Sequence, residues 1–179
     1  MPLDIAQLGQ PVLRQIAAEI PVEQIAEPTF QQFLDAMFDT LAEAKGAGLA
    51  APQVFAGLRV FLAAVLPAEG EDEPPDVEAF INPKITPLSE EQTNAWEGCL
   101  SFPELLVWVP RYRKVRIDYV NALGEPAALE LEGFPARVVQ HEHDHLEGIL
   151  TIDRAKSSLH IVKASEIDAV REAMNQDEE

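Results

Sequence analysis

The clearest hydrophobic pattern in the chain spans residues 28–44. Apolar side chains recur there at intervals of three and four, which places them on one face of an α-helix. They are Phe30, Phe33, Leu34, Met37, Phe38 and Leu41. Thr29 and Gln32 have the spacing of a capping box at the start of this helix, and Gly46 and Gly48 are suited to ending it. The pattern predicts an amphipathic helix with one buried face.

Four later segments have the composition of strands. Short apolar and β-branched runs occupy residues 58–66, 79–85, 114–119 and 127–131. The sequence Asn-Ala-Leu-Gly at residues 121–124 is typical of a turn between the last two runs. We therefore expect a block of strands in the middle of the chain.

Two more helices are predicted in the second half. The first starts after the Gly-Phe-Pro sequence at residues 133–135 and ends near Gly148. The second carries the last apolar periodicity, made of Ile161, Val162, Ile167, Val170 and Met174. It runs into an acidic tail at residues 177–179, and the acidic, proline-containing residues 68–78 predict an exposed loop.

The order of these elements favours one α+β domain. Strands in a block with helices at either end are typical of that class, and neither a repeat nor a linker divides the chain. We expect a single domain over residues 1–179, in which residues 166–179 form an acidic helix end and tail. With 47% hydrophobic residues, a chain of this length has enough apolar material for a core.

The charge balance excludes one class of function. Thirteen Lys and Arg residues stand against 31 Asp and Glu, which gives a net charge of −18. Such a charge repels nucleic acid, so a free-standing DNA- or RNA-binding protein is not expected. The basic residues that do cluster, Arg111, Arg113, Lys114 and Arg116, are interpreted as a solvated strand edge.

Cysteine content and the N-terminal residues indicate the compartment. The single cysteine excludes an internal disulfide and suits a reducing environment. Residues 1–20 have neither the apolar core of a signal peptide nor the composition of a transit peptide. The longest apolar run, residues 60–67, is too short to cross a bilayer. We expect a cytoplasmic protein with no membrane partner and no direct DNA binding.

Candidate chemistry is concentrated in a His-Glu-x-x-His motif. Helical positions i and i+4 share a face, so His141 and His145 can reach one metal ion. Glu142 lies beside that pair, where it can hold a water molecule, and His143 projects to the opposite side of the helix. The alternative is a pair of surface or helix-capping histidines. The apolar residues just before the motif favour a buried helix instead, in which unpaired imidazoles would be costly.

Two imidazoles leave a tetrahedral site short of one protein ligand. Glu147 follows the second histidine too closely to reach the same ion, and His160 and Glu166 are weaker candidates. Cys99 is the better third ligand, because Gly98 allows close approach of the backbone. Such a set leaves one coordination position for water, as in catalytic sites.

The glycine-rich residues 46–53 have two interpretations. They can form a helix end followed by a turn into a strand, or a loop whose backbone lines a substrate cleft, with Gln53 as an amide donor. This segment, together with residues 97–101 and 140–148, resembles in order and spacing the three signature motifs of the peptide deformylases. The resemblance extends from the Leu-Gly-x-Pro-Val-Leu-Arg sequence at residues 8–14 to about Ser158.

This resemblance implies an activity, a fold and a cofactor. Peptide deformylases remove the N-formyl group from the initiator methionine of new bacterial-type polypeptides and release formate. The implied fold is α+β, with small antiparallel or mixed sheets packed around the motif helix and a C-terminal helix. The implied ion is Fe(II), for which nickel, cobalt or zinc can substitute. The implied partners are N-formylmethionyl nascent peptides and, since these emerge there, the ribosome.

The resemblance also implies a role for each motif residue. The metal ligands are Cys99, His141 and His145. Glu142 is the general base and acid: it takes the proton of a metal-bound water as hydroxide attacks the formyl carbon, then passes it to the leaving amine. The oxyanion donors are Gln53 and the backbone N–H of Leu100, and Gly48 is a backbone contact to the substrate.

The chain departs from the family pattern at three places. Leu105 and Leu106 stand where many members have a polar or basic residue that meets the substrate main chain. We therefore expect a preference for an apolar residue after formyl-methionine. His143 stands where methionine is frequent, and Arg137 where apolar pocket residues are common.

Two other functions are compatible with parts of the sequence. An endopeptidase using the same helix motif predicts a third metal ligand downstream of the motif and a groove on both sides of the cut. A non-catalytic relative that only binds formylated or nascent peptides predicts the loss of Glu142, Gln53 or a ligand, and none of these is missing.

Overall fold

Two antiparallel sheets form the framework of the computed structural model, which describes residues 1–66 and 76–176. The larger sheet has the strand order β1-β2-β3-β6-β7, and the smaller has the order β4-β5-β8. The strands are β1 (Gly48–Ala50), β2 (Val60–Leu66), β3 (Asp76–Pro87), β4 (Gln92–Glu97), β5 (Leu105–Tyr112), β6 (Lys114–Val120), β7 (Pro126–Glu132) and β8 (Ile161–Lys163). The helices are α1 (Val22–Ile25), α2 (Pro28–Ala44), α3 (Phe134–Leu146) and α4 (Ile167–Gln176).

Strand β2 of the larger sheet is buried on both faces. Along β2, Phe61 and Ala63 pack in one core with Val139 and Leu146 of α3. The alternating side chains of Val60 and Leu62 pack in a second core with the apolar face of α2. This is why β2 reads as a continuous apolar run rather than as an alternating pattern.

Helix α3 lies between the two sheets. It packs against β1, β2 and β7 of the larger sheet and against β5 of the smaller one. It starts at Phe134, two residues before the start predicted after Pro135. It ends at Leu146, near Gly148 as predicted, and Gly148 takes a left-handed conformation with φ 69°. The α+β architecture around a central motif helix is therefore confirmed. No helix among the described residues is long and apolar enough to cross a membrane.

Helix α2 has the predicted bounds but different ends. Its N-cap is Glu27, which makes no side-chain capping bond, so the predicted capping box of Thr29 and Gln32 is wrong. Pro28 starts the helix instead, because its fixed φ suits the first turn. The C-cap is Lys45 in a left-handed conformation (φ 52°), rather than either predicted glycine.

The predicted strands correspond to β2, β3, β6 and β7, and the turn at residues 121–124 is confirmed by a hydrogen bond from Gly124 N–H to the Asn121 carbonyl. Strands β1, β4, β5 and β8 were not predicted. Ile161 and Val162, expected in the last helix, instead form β8 and pair with β5. Of the predicted acidic loop, residues 76–78 instead begin β3, and residues 68–75 lie outside the described residues, as does the tail at 177–179.

We predict that Gly148→Ala destabilises the fold more than Gly124→Ala. Both glycines have positive φ, so each alanine costs roughly 1–2 kcal/mol of backbone strain. A Cβ on Gly148 would also lie 2.8 Å from the carbonyl carbon and oxygen of Arg14, whereas a Cβ on Gly124 meets nothing within 4 Å. The overpacking adds about 1–3 kcal/mol. Urea unfolding of the two variants measures the difference in the free energy of unfolding. Equal decreases would show that the Arg14 backbone moves aside at no measurable cost.

Candidate metal centre

Three side chains that could hold one metal ion converge between α3 and the smaller sheet. Cys99 comes from the segment that joins β4 to β5, and His141 and His145 come from successive turns of α3. Their ligand atoms all lie within 4.8 Å of one another, and Cys99 Sγ is 3.4 Å from His145 Nε2. One thiolate and two imidazoles form a donor set that suits zinc, iron and similar transition metals. The residues therefore fit a divalent metal ion.

The pKa shifts of the two histidines run in opposite directions. Burial lowers the pKa of His145 well below its usual value, which leaves the ring in the neutral form that binds metals. Burial also acts to lower the pKa of His141, but hydrogen bonds to Cys99 and Glu97 outweigh it and raise that pKa well above its usual value. A metal cation among the three groups would oppose the extra proton and favour the neutral ring.

Glu97 is hydrogen-bonded to the His141 ring nitrogen that is not left for the ligand cluster. This role of Glu97 was not predicted from the sequence. Its Oε2 accepts a hydrogen bond from His141 Nδ1 at 3.0 Å, which leaves Nε2 for the ligand cluster. Burial acts to raise the pKa of Glu97, but hydrogen bonds from His141 and Arg111 outweigh it and hold that pKa well below its ordinary range. Glu97 is thus an ionised, buried acceptor that orients a metal ligand.

Two buried arginines neutralise Glu97. Arg111 donates to both carboxylate oxygens at 3.0 Å, and Arg137 donates to Oε1 at 2.7 Å. The interpretation of Arg111 as part of a solvated strand edge is wrong, since its side chain is only 4% exposed and also pairs with Asp144 at 2.5 Å. The burial of Arg111 follows from its position on β5, because alternating side chains of the strand face the core and Arg111 comes two residues after the buried Val109.

The rest of that basic cluster is solvated, as predicted. Arg113, Lys114 and Arg116 pair at 2.7–3.1 Å with acidic residues, and all three side chains are about half exposed. These contacts belong to the surface of β6 and its neighbours, away from the ligand cluster. The four basic residues lie close together in the sequence, but in the structure one is a buried arginine and three are surface cations.

Glu142 lies in the same buried space. Its Oε2 has no hydrogen-bond partner among the described residues, and burial raises the pKa of the carboxyl group to about 7. Gly48 of β1 packs directly on this side chain: a Cβ at that position would be 2.7 Å from Glu142 Cγ and Cδ. A glycine is therefore needed there for Glu142 to keep its place.

Two hydrogen-bond donors adjoin the ligand cluster. The Gln53 Oε1 accepts from the Ala50 N–H at 2.8 Å, which fixes the amide so that its Nε2 points to Ser101 Oγ (3.2 Å) and Cys99 Sγ (3.6 Å). In the described part of the chain, the N–H of Leu100 has no acceptor. The predicted site residues thus come together around one point.

A cavity of about 370 Å³ opens next to these groups. Its apolar lining residues are Ala47, Trp96, Leu100, Pro103, Phe134 and Val138. Arg137 also lines it, but its guanidinium is already bonded to Glu97 and to the carbonyls of Val109 and Thr93. Among the described residues, Leu105 and Leu106 do not line this cavity. Their contact with the substrate therefore stays a prediction.

The alternative ligands lie elsewhere. Glu147 pairs with Arg59 at 2.5 Å, and His143 faces the same arginine at 3.2 Å on the far side of α3, as predicted. His160, expected on the last helix, lies instead in a short 3-10 turn before β8. Among the described residues, only Cys99 joins the two motif histidines as a candidate ligand group.

Comparison with known proteins agrees with this geometry. The sequence model of the polypeptide deformylase family matches residues 2–160. The chain belongs to the peptide deformylase family. Peptide deformylase 2 of Nostoc sp. is 43% identical over 166 residues, which cover 92% of each chain. Peptide deformylase 1 of Bordetella pertussis is 44% identical over 151 residues, 82% of this chain and 83% of that protein.

Solved structures of peptide deformylases have the same fold. A class I type b peptide deformylase from Acinetobacter baumannii superposes with a TM-score of 0.79 at 38% identity, covering 86% of this chain and 99% of that one. The Thermotoga maritima peptide deformylase has a TM-score of 0.78 at 39% identity, covering 88% and 99%. The chain is therefore an enzyme of a hydrolase family with this α+β fold.

We predict that Gly48→Ala lowers kcat by about 100-fold, because the new methyl group displaces the Glu142 carboxylate by a fraction of an ångström or more. Gly57→Ala is the matched control, since a Cβ there meets nothing within 4 Å. Metal content and steady-state kinetics of both variants check this. Full activity in Gly48→Ala would mean that Glu142 is free to move without cost.

We predict that Glu97→Gln weakens metal binding about 10- to 100-fold, because His141 loses the carboxylate that orients it. Cobalt titration of metal-free protein, followed by absorption, measures the affinity. Glu147→Gln makes the same chemical change on the far side of α3 and should bind cobalt like the parent. If both variants bind cobalt equally, the Glu97 contact does not position the ligand.

Proposed function

We propose that this enzyme removes the N-formyl group from N-formylmethionyl peptides and releases formate. The observation that carries the proposal is the buried Glu142 Oε2, which has no hydrogen-bond partner among residues 1–66 and 76–176. It belongs to a residue that lines the apolar cavity beside three convergent ligand atoms. A related structure supports the substrate class, because the Acinetobacter baumannii enzyme was crystallised with Met-Ala-Ser bound. A tripeptide that begins with methionine is the product expected from deformylation.

Cys99, His141 and His145 would hold the metal ion. When bound there, a divalent ion lowers the pKa of water to about 7 and polarises a carbonyl oxygen. We propose Fe(II) as the resident ion, with nickel, cobalt or zinc able to replace it, because a soft thiolate and two imidazoles accept all four.

Glu142 moves the proton. With a pKa of about 7, its carboxyl group can accept a proton from the attacking water at neutral pH and donate it again without a large energetic penalty. As the water oxygen bonds to the formyl carbon, Glu142 takes the proton. As the carbon–nitrogen bond breaks, Glu142 gives it to the amine nitrogen of methionine. The products are formate and a free N-terminus.

Gln53 and Leu100 stabilise the negative charge that develops on the formyl oxygen. Each donor contributes about 3–4 kcal/mol in comparable sites. The Ala50 N–H already holds the Gln53 amide in position, so little reorganisation is needed at the moment of reaction.

Gly48 binds the substrate main chain. Its strand, β1, is an edge strand of the larger sheet, so one side of its backbone is available to pair with an extended peptide. The apolar cavity next to it accepts the methionine side chain. We further propose that residues 1–179 act as one catalytic domain in the cytoplasm, on nascent peptides near the ribosome, without DNA or membrane partners.

The experiment is formate release from formyl-Met-Ala-Ser by protein purified anaerobically, with the metal content measured on the same sample. Stoichiometric metal and formate release support the proposal. Cleavage of an internal peptide bond without formate release would favour the endopeptidase. That alternative requires a ligand downstream of the motif, whereas Glu147 is paired with Arg59. Metal-loaded protein that binds formylated peptide without releasing formate would be a non-catalytic binder.

We predict that Glu142→Gln lowers kcat about 10²- to 10⁴-fold, because the amide cannot carry the proton. The three ligand side chains are untouched, so the metal content should equal that of the parent. Metal analysis separates loss of the ion from loss of proton transfer. Near-parental formate release from this variant would remove Glu142 from the mechanism.

A further inference from the structure

The Ser101 hydroxyl lies against the Gln53 amide in the interior of the protein. Ser101 comes two residues after Cys99 and is fully buried, and Gln53 is only 1% exposed. Ser101 Oγ accepts a hydrogen bond from Gln53 Nε2 at 3.2 Å. The catalytic steps proposed above use the Gln53 amide but give this buried hydroxyl no role.

The two hydrogens of the Gln53 amide have different surroundings. A primary amide nitrogen carries two donors, and both lie in the plane of the amide. One of them serves Ser101 Oγ. The other is left for the side of Cys99 Sγ, which is 3.6 Å from Nε2 and belongs to the candidate ligand cluster. The hydroxyl thus occupies one donor and leaves the second directed at the site.

The Gln53 amide is held at both ends. Its Oε1 accepts a hydrogen bond from Ala50 N–H at 2.8 Å, and its Nε2 donates to Ser101 Oγ. A half-turn of the amide would bring its NH₂ group against the Ala50 N–H and set two buried donors against each other, which is costly. The Ala50 bond therefore selects the orientation of the amide, and the Ser101 bond sets the direction of its NH₂ group.

The backbones of both residues are braced by the N-terminal segment. Ala6 N–H donates to the Gln53 carbonyl at 2.7 Å, and Leu8 N–H donates to the Ser101 carbonyl at 2.8 Å. Gln53 and Ser101 are 48 positions apart in the sequence, yet both are tied to the same short stretch of chain. The fold therefore fixes the distance between the hydroxyl-bearing and the amide-bearing backbone.

We propose that Ser101 is a positioning residue, whose hydroxyl holds the Gln53 amide so that its second N–H meets the negative charge on the formyl oxygen. The inference rests on the proposed deformylase function and adds a residue to its machinery. That charge develops only towards the transition state. Loss of the hydroxyl should therefore lower kcat and leave KM nearly unchanged.

The kinetic test is a double-mutant cycle, measured as formate release from formyl-Met-Ala-Ser. We expect Gln53→Ala to lower kcat about 10²- to 10³-fold, as removal of an oxyanion donor does in comparable sites. Ser101→Ala keeps the donor but loosens its direction, so kcat should fall about tenfold. The double variant should be no slower than Gln53→Ala alone, because a hydroxyl that acts through the amide then has nothing left to position.

Side-chain amide NMR gives a readout that does not depend on activity. In isotope-labelled, zinc-loaded protein, the proton pair of Gln53 is identified by its absence from the spectrum of Gln53→Ala. In Ser101→Ala we expect one proton of this pair to move upfield, because it loses its oxygen acceptor. The zinc content should equal that of the parent, since all three candidate ligands are retained.

The matched control is Thr40→Val, which also removes a buried hydroxyl. Thr40 is 3% exposed, and its Oγ1 accepts from Leu3 N–H at 2.8 Å and donates to the Ala36 carbonyl at 2.6 Å. These two bonds involve neither Gln53 nor a candidate ligand, so kcat should stay parental even if urea unfolding shows a loss of stability.

A second variant serves if Ser101→Ala does not fold. Ser101→Cys keeps a side chain at this position but replaces the hydroxyl with a weak sulfur acceptor. Its kcat should fall below that of the parent by less than tenfold, again with unchanged KM. A parental kcat in folded Ser101→Cys, together with an unshifted Gln53 proton pair, would overturn the proposal.

The outcomes separate the two proposals. Absence of formate release from the metal-loaded parent would overturn the deformylase function itself. Formate release by the parent together with a parental kcat or an unshifted Gln53 pair in Ser101→Ala would leave that function standing and overturn the role of Ser101. A further tenfold loss when Ser101→Ala is added to Gln53→Ala would mean that the hydroxyl acts independently of the amide, and it would also overturn the proposal.

Discussion

The ionised Glu97 carboxylate is the interaction on which the site depends. Its two oxygens accept hydrogen bonds from His141 and from two guanidiniums, one on β5 and one on α3. A carboxylate in the protein interior is costly unless its charge and its lone pairs are satisfied. Here the partners come from β5 and from α3, so the smaller sheet and the motif helix must meet in one relative position. The orientation of a candidate metal ligand follows from that docking.

The same network extends through Arg111 to the C-terminal part of α3. Arg111 joins Glu97 to Asp144, and Asp144 also accepts two hydrogen bonds from Arg154, at 2.5 and 3.0 Å. Burial acts to lower the pKa of Arg111, but its bonds to Glu97 outweigh it and raise that pKa above its ordinary value. A chain of alternating charges thus runs from His141 to the turn that follows the helix, and removal of a buried member weakens the pairing of the charges beside it.

The elements that depend on a local pattern of residues could be predicted from the sequence. Helices α2 and α3 follow from apolar periodicity and turn residues, and the two motif histidines share a face through helical spacing alone. Strand β4 escaped prediction because Gln-Thr-Asn-Ala-Trp-Glu has no apolar alternation; its pairing with β5 defines it. The burial of Arg111 also depends on distant partners, Glu97 and Asp144, which are 14 and 33 residues away. Alternation with Val109 marks the face of β5 that carries Arg111, but the ion pairs themselves leave no local signature.

The candidate ligands come from two separately built parts of the molecule. Cys99 follows β4 of the smaller sheet, while both histidines belong to the helix that packs mainly on the larger sheet. An ion shared among them would act as a cross-link between these parts, in a chain whose single cysteine allows no internal disulfide. An ion that binds only the folded state stabilises that state, and the stabilisation grows with the logarithm of the free ion concentration. The thermal midpoint of the protein would therefore rise with the concentration of free metal. A shortage of the metal would therefore lower the stability of the folded enzyme as well as its activity.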